Sequence, residues 1–400
     1  MDRKVKIGVV GLDRGVFVLN AAKVLDDKMV ISAVCEINDK KIEEVKHLFA
    51  PETKVFKDYD EFLKEDLDGV VLCNYFYEHA AFAIKAMEAG KAVLSETTAA
   101  ASLGECIDLV EAKERTGGKY MLAANCPYFK PLAGIMSKVE SGELGRVVCA
   151  DAEYVHPSPN PPTKLPDLDN LHWRQTLPPC YYNMHTLGPL MYITNSVPKK
   201  VIGKAPSIPT PTRLNDTPRT LTITEMDNGA VFNTTGSVRV GTHGKWYRVI
   251  FEDGTMETER FDYVYDKLIT MGKNVHSTGI SYPDWPWGDL TDEEKKKYLE
   301  GLTAIGHGGI DFFVVMDFIR YVRDDKEPFF DIYRSMALSA AGILSWYSIL
   351  NASREYDIPD FKDKEAREVF RGDYRMPFAK RYKDLTLPCR ISKFETEDGE

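Results

Sequence analysis

The sequence has no run of about 18 apolar residues, the length a membrane-spanning helix needs, so no segment reads as transmembrane. It has no C-x-x-C pair either. The seven cysteines, Cys35, Cys73, Cys106, Cys126, Cys149, Cys180 and Cys389, are odd in number and scattered. That argues against a zinc site, a redox couple or a disulfide framework, and for reduced, mostly buried thiols. Cys180 stands beside two tyrosines, but no pattern supplies the base that would activate it as a nucleophile. Basic charge is short as well: 51 basic residues stand against 61 acidic ones, a formal charge of -10. Such a surface repels phosphate backbones and anionic lipid, so neither nucleic acid nor membrane is an expected partner. No internal repeat is visible, and Met1 to Lys4 lead straight into an apolar strand pattern without a signal peptide's apolar region. A cytoplasmic location is expected.

What remains is an ordinary globular chain of 400 residues, 44% hydrophobic and 28% charged, long enough for two or three domains with self-sufficient cores. Lys4 to Val10 is a β-branched run that ends in Gly11-Leu12-Asp13-Arg14-Gly15 and passes into a helical pattern over Val16 to Leu25. Apolar runs at Val30–Cys35, Gly69–Cys73, Ala92–Leu94 and Tyr120–Ala123 alternate with helical patterns, among them His79–Ala89 and Leu103–Thr116. This alternation predicts parallel β-α-β units in a doubly wound sheet. Beyond about residue 145 the pattern becomes β-rich, with runs at Val147–Val155, Arg219–Met226, Ala230–Val240 and Trp246–Phe251 and turn signals at Asn228-Gly229 and Asp253-Gly254. The expected fold class is therefore α/β: a Rossmann domain over 1–125, then an α/β domain with an open, mainly antiparallel sheet over 126–390, and an acidic tail over 391–400. Loops are expected at the proline-dense 157–166 and the aromatic 263–287, and helices at 311–323 and 332–355.

A glycine turn between a first strand and a helix presents backbone N–H groups and the helix dipole to a pyrophosphate, while an acidic residue ending strand two accepts from the adenosine ribose. Gly11, Gly15 and Glu36 fill these roles, with Glu36 about twenty positions beyond Gly15. A carboxylate there repels a 2′-phosphate, which favours NAD over NADP. Asp13 stands where the second glycine of the usual fingerprint would be, and the turn is one residue short.

On these residues, with D-G-V-V-L-C-N at 68–74 and H-A-A-F-A-I-K-A-M-E-A-G-K-A-V-L at 79–94, the chain resembles the Gfo/Idh/MocA family of NAD(P)-dependent sugar oxidoreductases. That family usually continues with Glu-Lys-Pro, whose lysine assists hydride transfer, but here the residues are Glu96-Thr97-Thr98. One branch, the NAD-dependent glycosidases of glycoside hydrolase family 109 and relatives, also lacks the lysine. Motifs similar to that branch follow: E-L-G-R-V at 143–147, A-E-Y-V-H at 152–156, H-W-R at 172–174, Y-N-M-H-T-L-G-P-L at 182–190 and G-H-G-G-I-D-F-F at 306–313.

The resemblance implies a catalytic trio of Tyr154, Tyr182 and His185. It implies cofactor contacts from Gly11, Asp13, Arg14, Gly15, Glu36, Asn74, His79, Glu96, Asn125 and His156. Tyr128, Arg174, His307 and Asp311 would meet a small carbohydrate or glycoside. NAD would be tightly bound and recycled within each turnover: hydride leaves sugar C3, the C1 substituent is eliminated, water adds, and the hydride returns. A glycoside 3-dehydrogenase releasing its 3-keto product is the alternative, and a cofactor-binding protein without catalysis a third reading. Assembly as a homodimer or homotetramer through the open sheet is expected.

Other readings of these residues stay open. Most of the 20 tyrosines must be packing residues, and His185 could be a core histidine at a helix bend. Tyr182 and His185, spaced i, i+3, would share a face if a helix begins at Tyr182. His307 reads either as a ligand-facing turn or as a plain cap, and Asp311 as a helix amino-terminal charge. Asp151, Glu153 and His156 do not form a metal set, because alternate strand positions put His156 on the other face; no metal is expected.

Overall fold

Continuous apolar runs with β-branched residues can be buried on both faces of a sheet, and the amino-terminal half uses them so. In the computed structural model, which describes residues 3–157, 167–209, 213–260, 266–270, 286–288 and 290–392, six strands form one sheet. They are β1 (Val5–Val10), β2 (Met29–Cys35), β3 (Lys54–Phe56), β4 (Gly69–Leu72), β5 (Ala92–Ser95) and β6 (Tyr120–Leu122). All neighbours are parallel, in the order β3-β2-β1-β4-β5-β6. Every residue of β4 and β5 is buried. The order reverses between β1 and β4, and a dinucleotide crevice opens at such a switch point beyond the carboxyl ends of the strands.

The chain divides into two compact units, the first comprising residues 1–100, 105–128 and 284–336. The linear reading had assigned everything from 126 to 390 to the second domain, and the structure corrects it. The helix Ile310–Asp324 carries Phe312, Val315 and Ile319 into the same apolar cluster as Val5, Ile7 and Leu12. Burial of that face ties a late segment to the parallel sheet.

The second unit, residues 101–104, 129–283 and 337–400, is built on an eight-stranded sheet. Its strands are β7 (Val147–Val155), β8 (Pro198–Lys204), β9 (Arg219–Met226), β10 (Val231–Ser237), β11 (Gly244–Phe251), β12 (Gly254–Thr258), β13 (Asp266–Thr270) and β14 (Tyr356–Asp357). The order is β13-β12-β11-β7-β10-β9-β8-β14, antiparallel throughout except for the parallel pair β7 and β10. Strand period two is plain in β9, where Thr220, Thr222, Thr224 and Met226 are buried while Leu221, Ile223 and Glu225 are exposed. On the covered side the Gly203 N–H donates to Ser348 Oγ at 2.9 Å, which seats the end of the helix Ile332–Leu350 on β8.

The loop expected at 157–166 from residue 158 on, most of the segment 263–287 and the tail from residue 393 lie outside the described residues. Among the described residues, no helix is long and apolar enough to cross a membrane. One local expectation changes: Tyr182 does not begin an α-helix. Two short 3-10 turns meet at a kink at Tyr182 within Pro179–His185, and the α-helix starts at Leu187.

Candidate active site

In the first unit, β1 ends against Gly11, whose φ of 80° belongs to the region glycine tolerates best. A Cβ there would stand 2.6 Å from the Cys73 carbonyl oxygen, so the turn passes flush over the end of β4. The helix Leu12–Val24 follows, and Gly15 lets it close on Val9. Glu36 sits just beyond β2 and clasps the turn: its carboxylate accepts the Leu12 N–H at 2.8 Å and the Asn38 N–H at 2.9 Å. Asp13, in the second glycine's place, points outward, 94% exposed, and pairs with Lys41 at 3.2 Å. It therefore leaves the turn open. Two buried amide oxygens, Asn74 Oδ1 after β4 and Asn125 Oδ1 after β6, have no hydrogen-bond partner among the described residues. Acceptors of this kind at the carboxyl ends of β4 and β6, with the helix N-terminus and Glu36 on the other side of the switch point, fit a dinucleotide. His79 serves this rim from within: its ring nitrogens lie 2.8 Å from the Thr98 carbonyl and 3.3 Å from that of Asn74. Burial pushes its imidazole pKa down.

The same unit gathers a polar cluster from four separate stretches of the chain. Arg14 Nε lies 2.8 Å from Glu96 Oε1, and its Nη1 lies 2.9 Å from Asp311 Oδ2. Asp311 Oδ2 also meets His307 Nδ1 at 2.9 Å, and Oδ1 accepts from Asn125 Nδ2 at 2.8 Å. The guanidinium rests on the Phe17 ring at 4.1 Å. Gly306, at φ 130°, allows the chain to pass where a Cβ would come within 2.7 Å of the Asp311 carboxylate. Burial pushes the Asp311 carboxyl up, but the His307 hydrogen bond and the Arg14 charge outweigh it and hold the group well below the usual carboxylate range. Because an ionised carboxylate only accepts, His307 Nδ1–H donates to it, and the imidazole, 46% exposed, presents Nε2.

Asp311, expected to meet sugar, is fully buried with both oxygens engaged, so it acts on His307 instead. Tyr128, also expected near the ligand, donates its hydroxyl to Asp317 and stacks on Phe313 at 5.9 Å, a packing role.

In the second unit, alternation along β7 sends Tyr154 to one face and Asp151 and Glu153 to the other, where they pair with Arg248, Arg219 and Arg260. His156, just past β7, is stacked on Tyr154 at 5.8 Å. The kink at Tyr182 brings its ring against that of His185, with ring centroids 4.7 Å apart. Tyr154 stacks on His185 at 4.3 Å and lies 6.2 Å from Tyr182. The Tyr247 hydroxyl donates to the His185 carbonyl at 2.8 Å and pins the turn. The trio named from sequence is thus brought together, with Tyr154 and His185 buried and Tyr182 part-exposed. The sequence reading missed His243, whose ring meets His156 edge-on at 5.3 Å; its only signal is a Thr-His-Gly turn entering β11. Arg174 is exposed and stacked over Trp173 at 4.4 Å. Burial pushes the Cys180 thiol far above its usual range, which leaves it inert.

Two family models match separate stretches of the chain, and the later one spans both units. Residues 5–124 match the oxidoreductase family with an NAD-binding Rossmann fold, and residues 292–367 match the glycosyl hydrolase 109 C-terminal domain. A protein named glycosyl hydrolase family 109 protein 1 from Shewanella sp. (strain MR-4) is 23% identical over 385 residues, covering 83% of this chain and 79% of its own. An alpha-N-acetylgalactosaminidase from Tannerella forsythia is 24% identical over 392 residues, covering 83% and 80%. Levoglucosan dehydrogenase in complex with NADH shares the fold, with a TM-score of 0.72 at 16% identity, covering 90% of this chain and 100% of that one. The resemblance read from the motifs is borne out.

Proposed function

We propose that this chain, an NAD-dependent enzyme of the Gfo/Idh/MocA type with a glycosyl hydrolase 109 C-terminal domain, hydrolyses a glycoside by transient oxidation at sugar C3, elimination of the C1 substituent, addition of water and re-reduction. The observation that carries this reading is that the segment matched to the glycosyl hydrolase domain supplies the His307 and Asp311 pair to the same unit as the dinucleotide turn. When bound, NAD supplies the acceptor and donor of the C3 hydride, and the ketone so formed acidifies the proton at C2.

Glu36 and the Gly11 turn hold the adenosine ribose and pyrophosphate, while Asn74 and Asn125 offer acceptors on the other side of the switch point. His185, fixed between Tyr154 and Tyr182, takes a proton from the sugar, and the tyrosine hydroxyls serve the remaining proton transfers at C3 and C2. His307, its Nδ1–H donated to Asp311, enters as the imidazolium, gives its Nε2 proton to the departing oxygen and recovers one at Nε2 from the incoming water. Because the C1 bond breaks by elimination, the carboxylate pair of ordinary glycosidases is not required.

The test follows NADH absorbance and free sugar together while the purified protein, with NAD below substrate concentration, meets a panel of α- and β-glycosides. Many turnovers of free sugar without accumulated NADH are expected. NADH accumulating with an intact oxidised glycoside would make the protein a glycoside 3-dehydrogenase, and no turnover of any sugar despite bound NAD would overturn both.

A further inference from the structure

The first unit leaves one charge unbalanced. Arg14, a single guanidinium, lies between two carboxylates that are both withdrawn from water: Glu96 is 8% exposed and Asp311 fully buried. Burial opposes the charge on Arg14, but the two carboxylates outweigh it and raise its pKa, so the cation is permanent. The other groups that face the cluster add no charge that could balance it. Asn125 is a neutral amide, the Cys73 thiol is pushed well above its usual range by burial, and His307 is neutral unless it takes a proton. The cluster therefore carries one net negative charge whenever His307 is unprotonated.

Its place in the fold says what that charge faces. Glu96 directly follows β5, Asn74 lies just beyond β4 and Asn125 just beyond β6, at the carboxyl ends of the half-sheet beyond the switch point. In a Rossmann fold that half receives the second mononucleotide. Asn125 is 2% exposed and keeps Oδ1 without a partner among the described residues, while its Nδ2 is tied into the cluster. A buried acceptor and an excess negative charge stand together on the nicotinamide side.

We propose that the Arg14, Glu96 and Asp311 cluster makes this site discriminate by cofactor charge, holding the oxidised nicotinamide, a cation, more tightly than the neutral reduced ring. The proposal rests on the NAD-dependent reading and bears on its being redox-neutral: a site that stabilises the oxidised ring over the reduced one makes bound NADH the stronger hydride donor, which favours return of the hydride to the sugar. Thr97, where the related oxidoreductases carry lysine, places no second cation beside Glu96 to cancel the bias.

The ratio of the two affinities is read directly, without sugar, by competing NAD against NADH on the full chain at pH 8 and following NADH fluorescence. Glu96→Gln removes a negative charge and is expected to lower the preference for NAD by on the order of tenfold, the effect of one charge across a partly buried site. Arg14→Gln removes the cation and is expected to raise the preference, and Arg14→Lys to stay near the parent value. A loss of packing alone moves both affinities together and gives no opposite signs. A ratio that is unmoved, or that moves in one direction for both charge deletions, overturns the proposal and leaves the glycosidase reading standing. If Arg14→Gln does not fold, Glu96→Gln and Arg14→Lys decide the matter. Binding of neither cofactor to the parent chain overturns this proposal and the reading it rests on together.

Discussion

Replacing Asp311 by asparagine tests the cluster where it is most buried. The carboxylate accepts from Arg14 Nη1 at 2.9 Å, His307 Nδ1 at 2.9 Å and Asn125 Nδ2 at 2.8 Å, with no solvent access. An amide of the same shape has one acceptor oxygen, and its NH2 must face either the Arg14 and His307 donors or the Asn125 donor. Each charge-assisted bond contributes about 1.5–3 kcal/mol, and removing one partner of a buried ion pair costs about 3–5 kcal/mol. Arg14 retains Glu96 and is itself 32% exposed, so the orphaned charge is partly relieved. The expected loss is about 3 kcal/mol, at the lower end of the range for a broken buried pair.

Urea unfolding of the parent and Asp311→Asn chains at a series of pH values measures it. The folded-state pKa of Asp311 is depressed, so its contribution is fully present above the unfolded carboxylate value of about 4 and is lost as pH falls through the lower folded value. The gap between the two chains should narrow as pH falls below about 4. A gap under about 1 kcal/mol at neutral pH, the size of an exposed ion pair, would refute the reasoning. So would a gap that fails to narrow below about pH 4.

His307→Gln should lower kcat for a glycoside by on the order of 100-fold or more with KM little changed, as loss of a general acid–base group does, and parent-like kcat would remove His307 from the chemistry. Glu36→Ala strips two backbone N–H groups and the ribose of their acceptor, so NAD affinity should fall roughly tenfold or more while NADP loses less; fluorescence titration of both cofactors checks this, and unchanged NAD affinity would refute it. On the outer face of the second sheet Ile223, Leu221 and Val231 are exposed side by side on β9 and β10. If this face joins copies of the chain, light scattering should give an oligomer for the parent and a smaller species for Ile223→Glu, and a monomeric parent would end that expectation.

The doubly wound half was legible because β1, β4 and β5 are mainly apolar, β-branched runs, broken in β1 only by Lys6, spaced by helical periods. The strands β3, β8 and β14 were not. K-V-F, P-K-K-V-I-G-K and Y-D are too short or too polar to show a period, and they pair because a neighbouring strand offers an open edge. The expected α-helix from Tyr182 was not found, because the backbone kinks at that residue and the two rings meet across the kink. The helix Ile310–Asp324 was expected over 311–323, but a helical pattern does not say which sheet the helix covers. For that reason the discontinuous first unit escaped a linear reading.

The same limit explains why the functional residues were named more easily than their roles. Arg14, Glu96, Asn125, His307 and Asp311 were each picked out by the motif in which they stand, yet nothing local relates a guanidinium near the amino terminus to a carboxylate almost three hundred positions later. Only the packing of the late helix against the first sheet closes that distance and turns a presumed sugar contact, Asp311, into the group that orients His307. The lysine that related oxidoreductases carry after the glutamate is a titratable cation. Here Thr97 occupies that position, and the cation of the cluster is an arginine fixed by two carboxylates. An arginine so paired does not give up its proton near neutral pH. Of the cluster's members His307 is the most open to solvent, and on the proposed reading it carries the proton exchange.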